Sequence, residues 1–388
     1  MPPDETPEVS LIRGGPFYSA QVVTRLIYPD QWNLGRRLVF AVAIGYLPLI
    51  LLTALFQPVA LIALVRDYKV AARMLIAVPV LLLGQLLMES RFRMIVRQVR
   101  KDLLSGPDLT RLENILARLI RLRDSALPEI ALVLLVYLHT ASLFGERIGL
   151  GTMWVVRGAG TAAGSHLTPA GWYYVLVSQT IYQFLVALSL WKWVLWTVFL
   201  FRLSRLNLKL EVTHPDKHGG IGFLGMSPLA FAPVAFAITA AIGATWRDEI
   251  LYSGAHLMSF KLPAIALLLL IVIVAVGPLG FFVPKLAGLR RRGILEYGSL
   301  AQLHSTEFNE KWILHREGHE GEFLSAPEIS SLADLATSYE NVEKMQPFPL
   351  EKGSLVALAL AVLIPILPTV LAEVPLQVVL KSLLEAVR

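Results

Sequence analysis

Residues 172–201 read WYYVLVSQTIYQFLVALSLWKWVLWTVFLF, thirty positions with a single charge, Lys192. As a helix this run is about 45 Å long at 1.5 Å per residue, against a bilayer hydrocarbon core of about 30 Å. A soluble core has no use for such a stretch, so it decides the fold: a membrane-spanning helix that tilts or protrudes. Trp191, Trp193 and Trp196 suggest where it meets an interface, with Lys192 snorkelling to headgroup level between two of them. Arg202, Arg205 and Lys209 then carry the chain into a basic aqueous layer.

Composition extends this reading to the whole chain. Of 388 residues 55% are hydrophobic and only 16% charged, where soluble proteins carry roughly 25%. Mean hydropathy is +0.60. Working outward from 172–201, six further apolar segments qualify as spans: 38–64, 70–88, 126–145, 227–246, 262–284 and 354–371. The expected fold is all-α, a polytopic transmembrane bundle of about seven spans with a helical cytoplasmic layer. Pro48 and Gln57-Pro58 predict a kink or an early end to the first span. Ala237, Ala240, Ala241 and Ala244 give the fifth a small-residue face for close helix packing.

Four regions follow. Residues 1–37 form a cytoplasmic arm, with 1–10 expected to be disordered. Its interfacial helix over 16–28 would be anchored by Tyr28, Trp32, Arg36 and Arg37. Residues 38–284 hold six spans, together with a basic hairpin at 89–125 and a loop at 211–225. Residues 285–353 form a cytoplasmic helical segment, and 354–388 hold the seventh span and an amphipathic helix over 374–387. In the hairpin, Asp108 is the expected helix cap, followed by a stripe at Leu109, Leu112, Leu116 and Leu119. In 285–353, Leu300, Leu303 and Trp312 keep helical spacing. Ser325-Ala-Pro-Glu328 is a capping box ahead of a stripe at Ile329, Leu332, Leu335, Tyr339 and Val342. Residues 146–171, rich in Gly, Ala and Thr, suit an extracytoplasmic loop.

Charge fixes the expected orientation. With the N-terminus inside, 25 of the 35 Lys and Arg fall in cytoplasmic segments and 9 on the other side, Lys192 being the remaining one. Such asymmetry follows the positive-inside rule. The net charge of +6 then points to anionic lipid and not to nucleic acid, since no aromatic interleaving accompanies it. The first 35 residues carry Asp4, Glu5 and Glu8 and no apolar h-region, so the first span is expected to act as its own targeting signal. The chain has no cysteine, which excludes disulfides, thiolate metal sites and cysteine nucleophiles. No phosphate-binding P-loop, dinucleotide fingerprint, serine elbow or zincin helix occurs, so neither an enzyme nor a cofactor is expected.

The densest run of polar chemistry is Glu211-Val-Thr-His214-Pro215-Asp216-Lys217-His218-Gly219-Gly220-Ile-Gly222-Phe-Leu-Gly225. Its first reading is structural, a capped turn in which Asp216 or Thr213 satisfies free amides and Pro215 stops the preceding helix. Its second is an anion or lipid-phosphate site built from Lys217, Gly219, Gly220 and Gly222 ahead of a helix N-terminus. Its third is a divalent-metal site from Glu211, His214, Asp216 and His218, with His304, His315 or His319 joining in. The His-Pro-Asp tripeptide also matches J-domain co-chaperones, but without their flanking soluble helices. Inside the spans, His139, Gln179, Gln183 and Lys192 are the candidates for a polar pathway, or for interhelical hydrogen bonds.

Four segments together resemble a family of uncharacterised bacterial multi-pass inner-membrane proteins. They are Tyr46-Leu-Pro-Leu49, Arg73 to Glu89, the loop of pattern HPDxxGGxGFL at 214–224, and Ile329-Ser-Ser-Leu-Ala-Asp-Leu-Ala-Thr-Ser-Tyr339. The resemblance covers most of the chain and implies a bacterial inner membrane; it brings no activity with it. Two functions stay open on the sequence. One is a channel or transporter-like membrane protein, a homo-oligomer. The other is a non-transporting scaffold or sensor whose cytoplasmic layer binds a partner or anionic lipid.

Overall fold

A computed structural model of the chain describes residues 10–28, 32–142, 152–157, 166–314 and 327–373. Residues 1–9 of the segment 1–10 expected to be disordered, the loop histidines His315 and His319, the start of the capping box at Ser325 and the helix over 374–387 lie outside the described residues; Ser10 is ordered by its hydrogen bond to Glu89.

Among these, six helices are long and apolar enough to cross a membrane: α2 (Leu34–Phe56), α4 (Tyr68–Leu103), α7 (Pro169–Leu203), α8 (Gly222–Ser253), α9 (Leu257–Leu314) and α11 (Lys352–Val370). A seventh, α6 (Ala126–Ser142), is apolar but has only 17 residues, about 25 Å. The shorter helices are α1 (Pro16–Val23), α3 (Leu61–Val65), α5 (Pro107–Asp124) and α10 (Pro327–Glu343). Among the described residues the strand content is one antiparallel pair of two-residue strands, β1 (Val156–Arg157) and β2 (His166–Leu167). The chain is an all-α, multi-pass membrane bundle.

α2 ends at Phe56, one residue short of Gln57-Pro58, as the proline requires. α4 starts where the Asp67 carboxylate caps the Lys69 and Val70 amides at 3.1 and 3.3 Å. With 36 residues it is about 54 Å long and projects well beyond a hydrocarbon core. α5 begins at Pro107 after Gly106, so Asp108 lies inside the first turn and is not the cap; it pairs with Arg111 at 3.0 Å instead. Proline in the first turn starts the helix two residues earlier than a cap at Asp108 would place it. The leucine stripe of α5 lies against α7, with Leu112, Leu116 and Leu119 buried.

Trp193 and Trp196 of α7 face the core and not an interface, while Trp191 is half-buried. Trp196 stacks on Phe92 of α4 with centroids 3.9 Å apart, and Trp193 donates its indole N–H to the Val274 carbonyl at 2.9 Å. Their apolar rings fill the junction of α4, α7, α8 and α9, where burial is worth more than an interfacial position. Lys192 goes inward with them and is 5% exposed, so it does not snorkel. The alanine face of α8 is buried against α4 and α11, and Gly243 lets α11 approach until the Pro365 carbonyl is 3.1 Å from where a Cβ would stand.

α9 departs furthest from expectation. It continues as one helical element of 58 residues from the sixth span through Arg290-Arg291-Arg292 to Leu314. That is about 87 Å, so the outer half projects from the bundle, where α10 packs along it with Leu332, Leu335, Tyr339 and Val342 on the facing side. The arginine run changes the solvent around the helix without interrupting its hydrogen bonding.

The N-terminal segment also differs. Leu11 and Ile12 are buried and α1 docks in the bundle, its Phe17 ring edge-on to Phe184 of α7. Arg37, expected at headgroup level, is only 3% exposed. The arginine-rich end of the bundle thus gathers residues 10–23, the start of α2, the outer part of α4, α5 and the end of α7. The far end holds the β1–β2 pair, beside which Trp154 donates to Asp67 at 3.1 Å, and the Lys69–Asp248 ion pair at 2.7 Å.

Candidate functional site

The loop 211–225 folds on itself around one carboxylate. Asp216 Oδ1 accepts from the backbone N–H of His218 at 2.8 Å and Gly220 at 3.1 Å, and Oδ2 accepts from Gly222 at 2.8 Å. His214 Nδ1 lies 2.8 Å from Oδ1. Burial works against the charge. The three amides and the histidine outweigh it and hold the Asp216 carboxyl below the ordinary carboxylate range. Gly219 and Gly220 take φ of +67° and +91°, which only glycine adopts without strain. The turn is clamped from outside: Gln346 N–H donates to the Lys217 carbonyl at 2.8 Å, and His218 Nδ1 lies 3.0 Å from the Gln346 carbonyl, to which it donates.

This geometry bears on the two chemical readings of the loop. The amides of Gly220 and Gly222, which would face an external anion, are taken by the protein's own carboxylate. Lys217 sits in the left-handed region at φ +59° beside them. Gly219 packs against Leu286, Leu289 and Met345. For metal, no group of three or more His, Asp or Glu donors forms among the described residues, Glu211, His214, Asp216 and His218 included. His304 is engaged elsewhere, 3.1 Å from the Ser331 hydroxyl between α9 and α10.

The four intramembrane candidates do not converge. His139 is exposed on the outer surface of α6. Gln183 accepts from the Thr140 hydroxyl of α6 at 3.1 Å, and Gln179 is buried one turn away. Lys192 lies nine residues after Gln183 on an uninterrupted α-helix, about half a turn round the axis at roughly 100° per residue. It faces a different set of charges: Glu129, Glu89, Arg37 and Arg123.

Those charges form a second polar centre, at the arginine-rich end, that sequence reading did not assemble. Glu89 of α4 accepts from Ser10 at 2.6 Å and pairs with Arg93 one turn on. Glu129 of α6 accepts the Phe17 amide at 2.7 Å, and Asp124 accepts the Gly15 amide at 3.0 Å. Arg123 donates to the Ser10 carbonyl at 2.5 Å. Carboxylates on α4, α5 and α6 therefore bind the N-terminal segment across the bundle. Beside them Arg37 donates from Nε to Gln21 and from Nη2 to Gln85, each at 2.8 Å, while Nη1 has no partner. The one sequence signal for this centre was Glu89 followed four residues later by Arg93; the rest depends on the docking of residues 10–23.

A third feature lies outside the bundle core. Arg111, Asn114, Ile115 and Arg118 of α5, with Arg202, Arg205 and Leu206 at and beyond the end of α7, enclose an open cavity of about 410 Å³. Among the described residues Arg118, Arg202 and Arg205 have no carboxylate partner, and Arg205 lies over the Phe201 ring at 5.0 Å. No known family model matches the chain, and neither does any curated protein or solved structure.

Proposed function

We propose that this chain is a non-transporting scaffold or sensor of a bacterial inner membrane, with its N-terminus cytoplasmic, whose arginine-rich end binds anionic lipid. The four-arginine cavity between α5 and α7 carries the proposal. Four guanidinium groups share one opening, and among the described residues only Arg111 of the four has a carboxylate partner, Asp108. Guanidinium groups bind phosphate oxygens in a bidentate fork, and their mutual repulsion is relieved when an anion lies between them. The bias of Lys and Arg toward this end supports the orientation, since the cytoplasmic leaflet is the anionic one. The scattered placement of His139, Gln179, Gln183 and Lys192 supports a scaffold over a channel. Self-association belongs to the same reading, favoured by Leu295, Leu300 and Leu303, which are exposed on the projecting half of α9.

The test is reconstitution into nanodiscs of phosphatidylcholine with and without phosphatidylglycerol. Anionic lipid is expected to raise the melting temperature of the wild-type protein, and Arg118→Gln with Arg202→Gln to abolish most of that rise. Solute or ion flux through liposomes holding the pure protein would overturn the scaffold in favour of the channel.

A further inference from the structure

Arg37 lines a cavity of about 150 Å³ that is otherwise almost wholly apolar. Its walls come from three helices and the N-terminal segment: Phe40, Ala41 and Ile44 of α2, Leu82 of α4, Ile181, Phe184 and Leu185 of α7, with Phe17 and Gln21 of α1. On α2 the lining positions are Arg37, Phe40, Ala41 and Ile44, spaced i, i+3, i+4 and i+7, so they form one face running inward from the arginine. α7 runs the opposite way, and its contribution also deepens from Leu185 to Ile181. The cavity therefore has Arg37 at the arginine-rich end, its guanidinium nitrogens covered behind an apolar wall, and a hydrocarbon-lined body pointing toward the membrane centre. Phe40 is 45% exposed, so the cavity reaches the outer face of α2.

The guanidinium at its head lacks a counter-ion. Its two hydrogen-bonded partners are neutral amides, its third nitrogen is buried without a partner, and no carboxylate of a described residue pairs with it. The carboxylates nearby are committed, Glu89 to Ser10 and Arg93, and Glu129 to the Phe17 amide. Gln85 Nε2 is likewise buried and unpartnered. A buried, unpaired charge is costly, and an anion that brings its own oxygens removes that cost. A dry apolar cavity of this size holds a hydrocarbon group about as large as benzene.

We infer that this cavity binds an acidic amphiphile, the first part of its hydrocarbon chain along Ala41, Ile44 and Ile181 and its carboxylate or phosphate drawn to the unpartnered Arg37 Nη1. The site is separate from the four-arginine cavity on α5 and α7 and does not rest on that reading. The head matches a fatty acid or the phosphate of an acidic lipid, in the orientation such a molecule has in the leaflet at this end of the bundle.

The experiment uses the full chain purified in a neutral detergent, titrated with laurate, dodecanol, a short-chain phosphatidic acid and inorganic phosphate, and read by melting temperature and native mass spectrometry. Laurate or the phosphatidic acid is expected to bind one to one and raise the melting temperature; which of the two binds tighter tells carboxylate from phosphate. Dodecanol, lacking the charge, and inorganic phosphate, lacking the tail, are expected to bind at least tenfold more weakly. Arg37→Met is expected to lose the laurate response. Ala41→Phe, which keeps the arginine and fills the cavity, is expected to lose it too, so that misfolding of one variant leaves the other as the test. Arg118→Gln with Arg202→Gln is expected to keep it. Equal binding of laurate and dodecanol, or a full laurate response in a folded Arg37→Met or Ala41→Phe protein, overturns the inference.

Discussion

Asp216, in the loop before α8, and Arg37, in the first turn of α2, lie at the same end of the bundle and are both drawn into the fold. Their surroundings differ in kind. The carboxylate collects three backbone amides and a histidine from the nine residues 214–222. The guanidinium collects two neutral amides from two distant helices and leaves one nitrogen bare. A charge satisfied by its own loop is structural: it makes a turn cooperative and leaves nothing for a ligand. A charge left incomplete in a cavity is a poor contributor to stability and a good receptor. The contrast can be broken by measuring stability and binding separately on each side of it.

The largest expected effect is at the satisfied charge. Asp216→Ala leaves the amides of His218, Gly220 and Gly222 without their acceptor. Hydrogen bonds to a charged group are worth about 1.5–3 kcal/mol each and are not additive, so a loss of about 3 kcal/mol is expected. Folded yield and melting temperature in detergent would fall with no change in laurate binding. The same carboxylate predicts an acid limb. Its folded pKa lies below its unfolded value near 3.9. Its contribution is therefore complete above the unfolded value and is lost as pH falls through the depressed one. The wild-type protein should lose stability below about pH 4, and Asp216→Asn should flatten that loss. An unchanged acid limb in Asp216→Asn would place the titrating group elsewhere.

Next is the backbone that presents the amides. Gly220→Ala forces a Cβ into φ +91°, a strain of about 1–2 kcal/mol. At Gly222 an added Cβ would stand 2.9 Å from Asp216 Oδ2 and push the carboxylate off its donors. A melting temperature unmoved by both substitutions would mean the turn is looser than its hydrogen bonds require. Smaller again, and the sharpest contrast with Asp216, is Arg37→Met. Removing an unpaired buried charge in favour of a similar apolar volume is close to neutral or stabilising. Here Gln21 and Gln85 lose a donor in exchange, so the net change is expected within about 1 kcal/mol. A loss as large as that at Asp216 would make Arg37 structural after all and weaken its role as a receptor.

The difference between the two charges also explains which of them the sequence revealed. The Asp216 turn is local: the aspartate and the glycines that donate to it lie within seven positions, so its reading as a capped turn needed no tertiary knowledge; the part given to Pro215 fails, because α7 already ends at Leu203, well before the proline. The spans were equally legible, because twenty or more apolar residues in a row have one solution in a bilayer. Arg37 was not, since its burial depends on residues 10–23 folding back over α2, α4 and α7, and nothing in Leu11, Ile12 or Phe17 names those partners. Trp193, Trp196 and Lys192 misled for a related reason. A Trp-Lys-Trp run looks alike at an interface and in a core, and only the neighbouring Phe92 and Phe231 decide between them.

Between the satisfied anion and the bare cation stands a neutral pair, Thr140 of α6 and Gln183 of α7, joined at 3.1 Å. It shows what an intramembrane polar contact is worth when neither charge nor ligand is involved. Interhelical hydrogen bonds in membranes average about 0.6 kcal/mol by double-mutant cycles, because the unfolded chain in lipid also finds partners. Thr140→Val, Gln183→Leu and the double variant should therefore give a coupling of about that size. The smallness of the effect is the point. α6 has only 17 residues, and Thr140 is buried on it next to an exposed His139, so this bond helps seat a short helix against α7. A coupling well above 1 kcal/mol would imply that the pair sits in a more demanding environment, such as a polar path between α6 and α7. It would also restore Gln179 and Gln183 as candidates for transport. A coupling near 0.6 kcal/mol assigns them to packing and leaves Arg37 as the intramembrane polar group with a ligand to find.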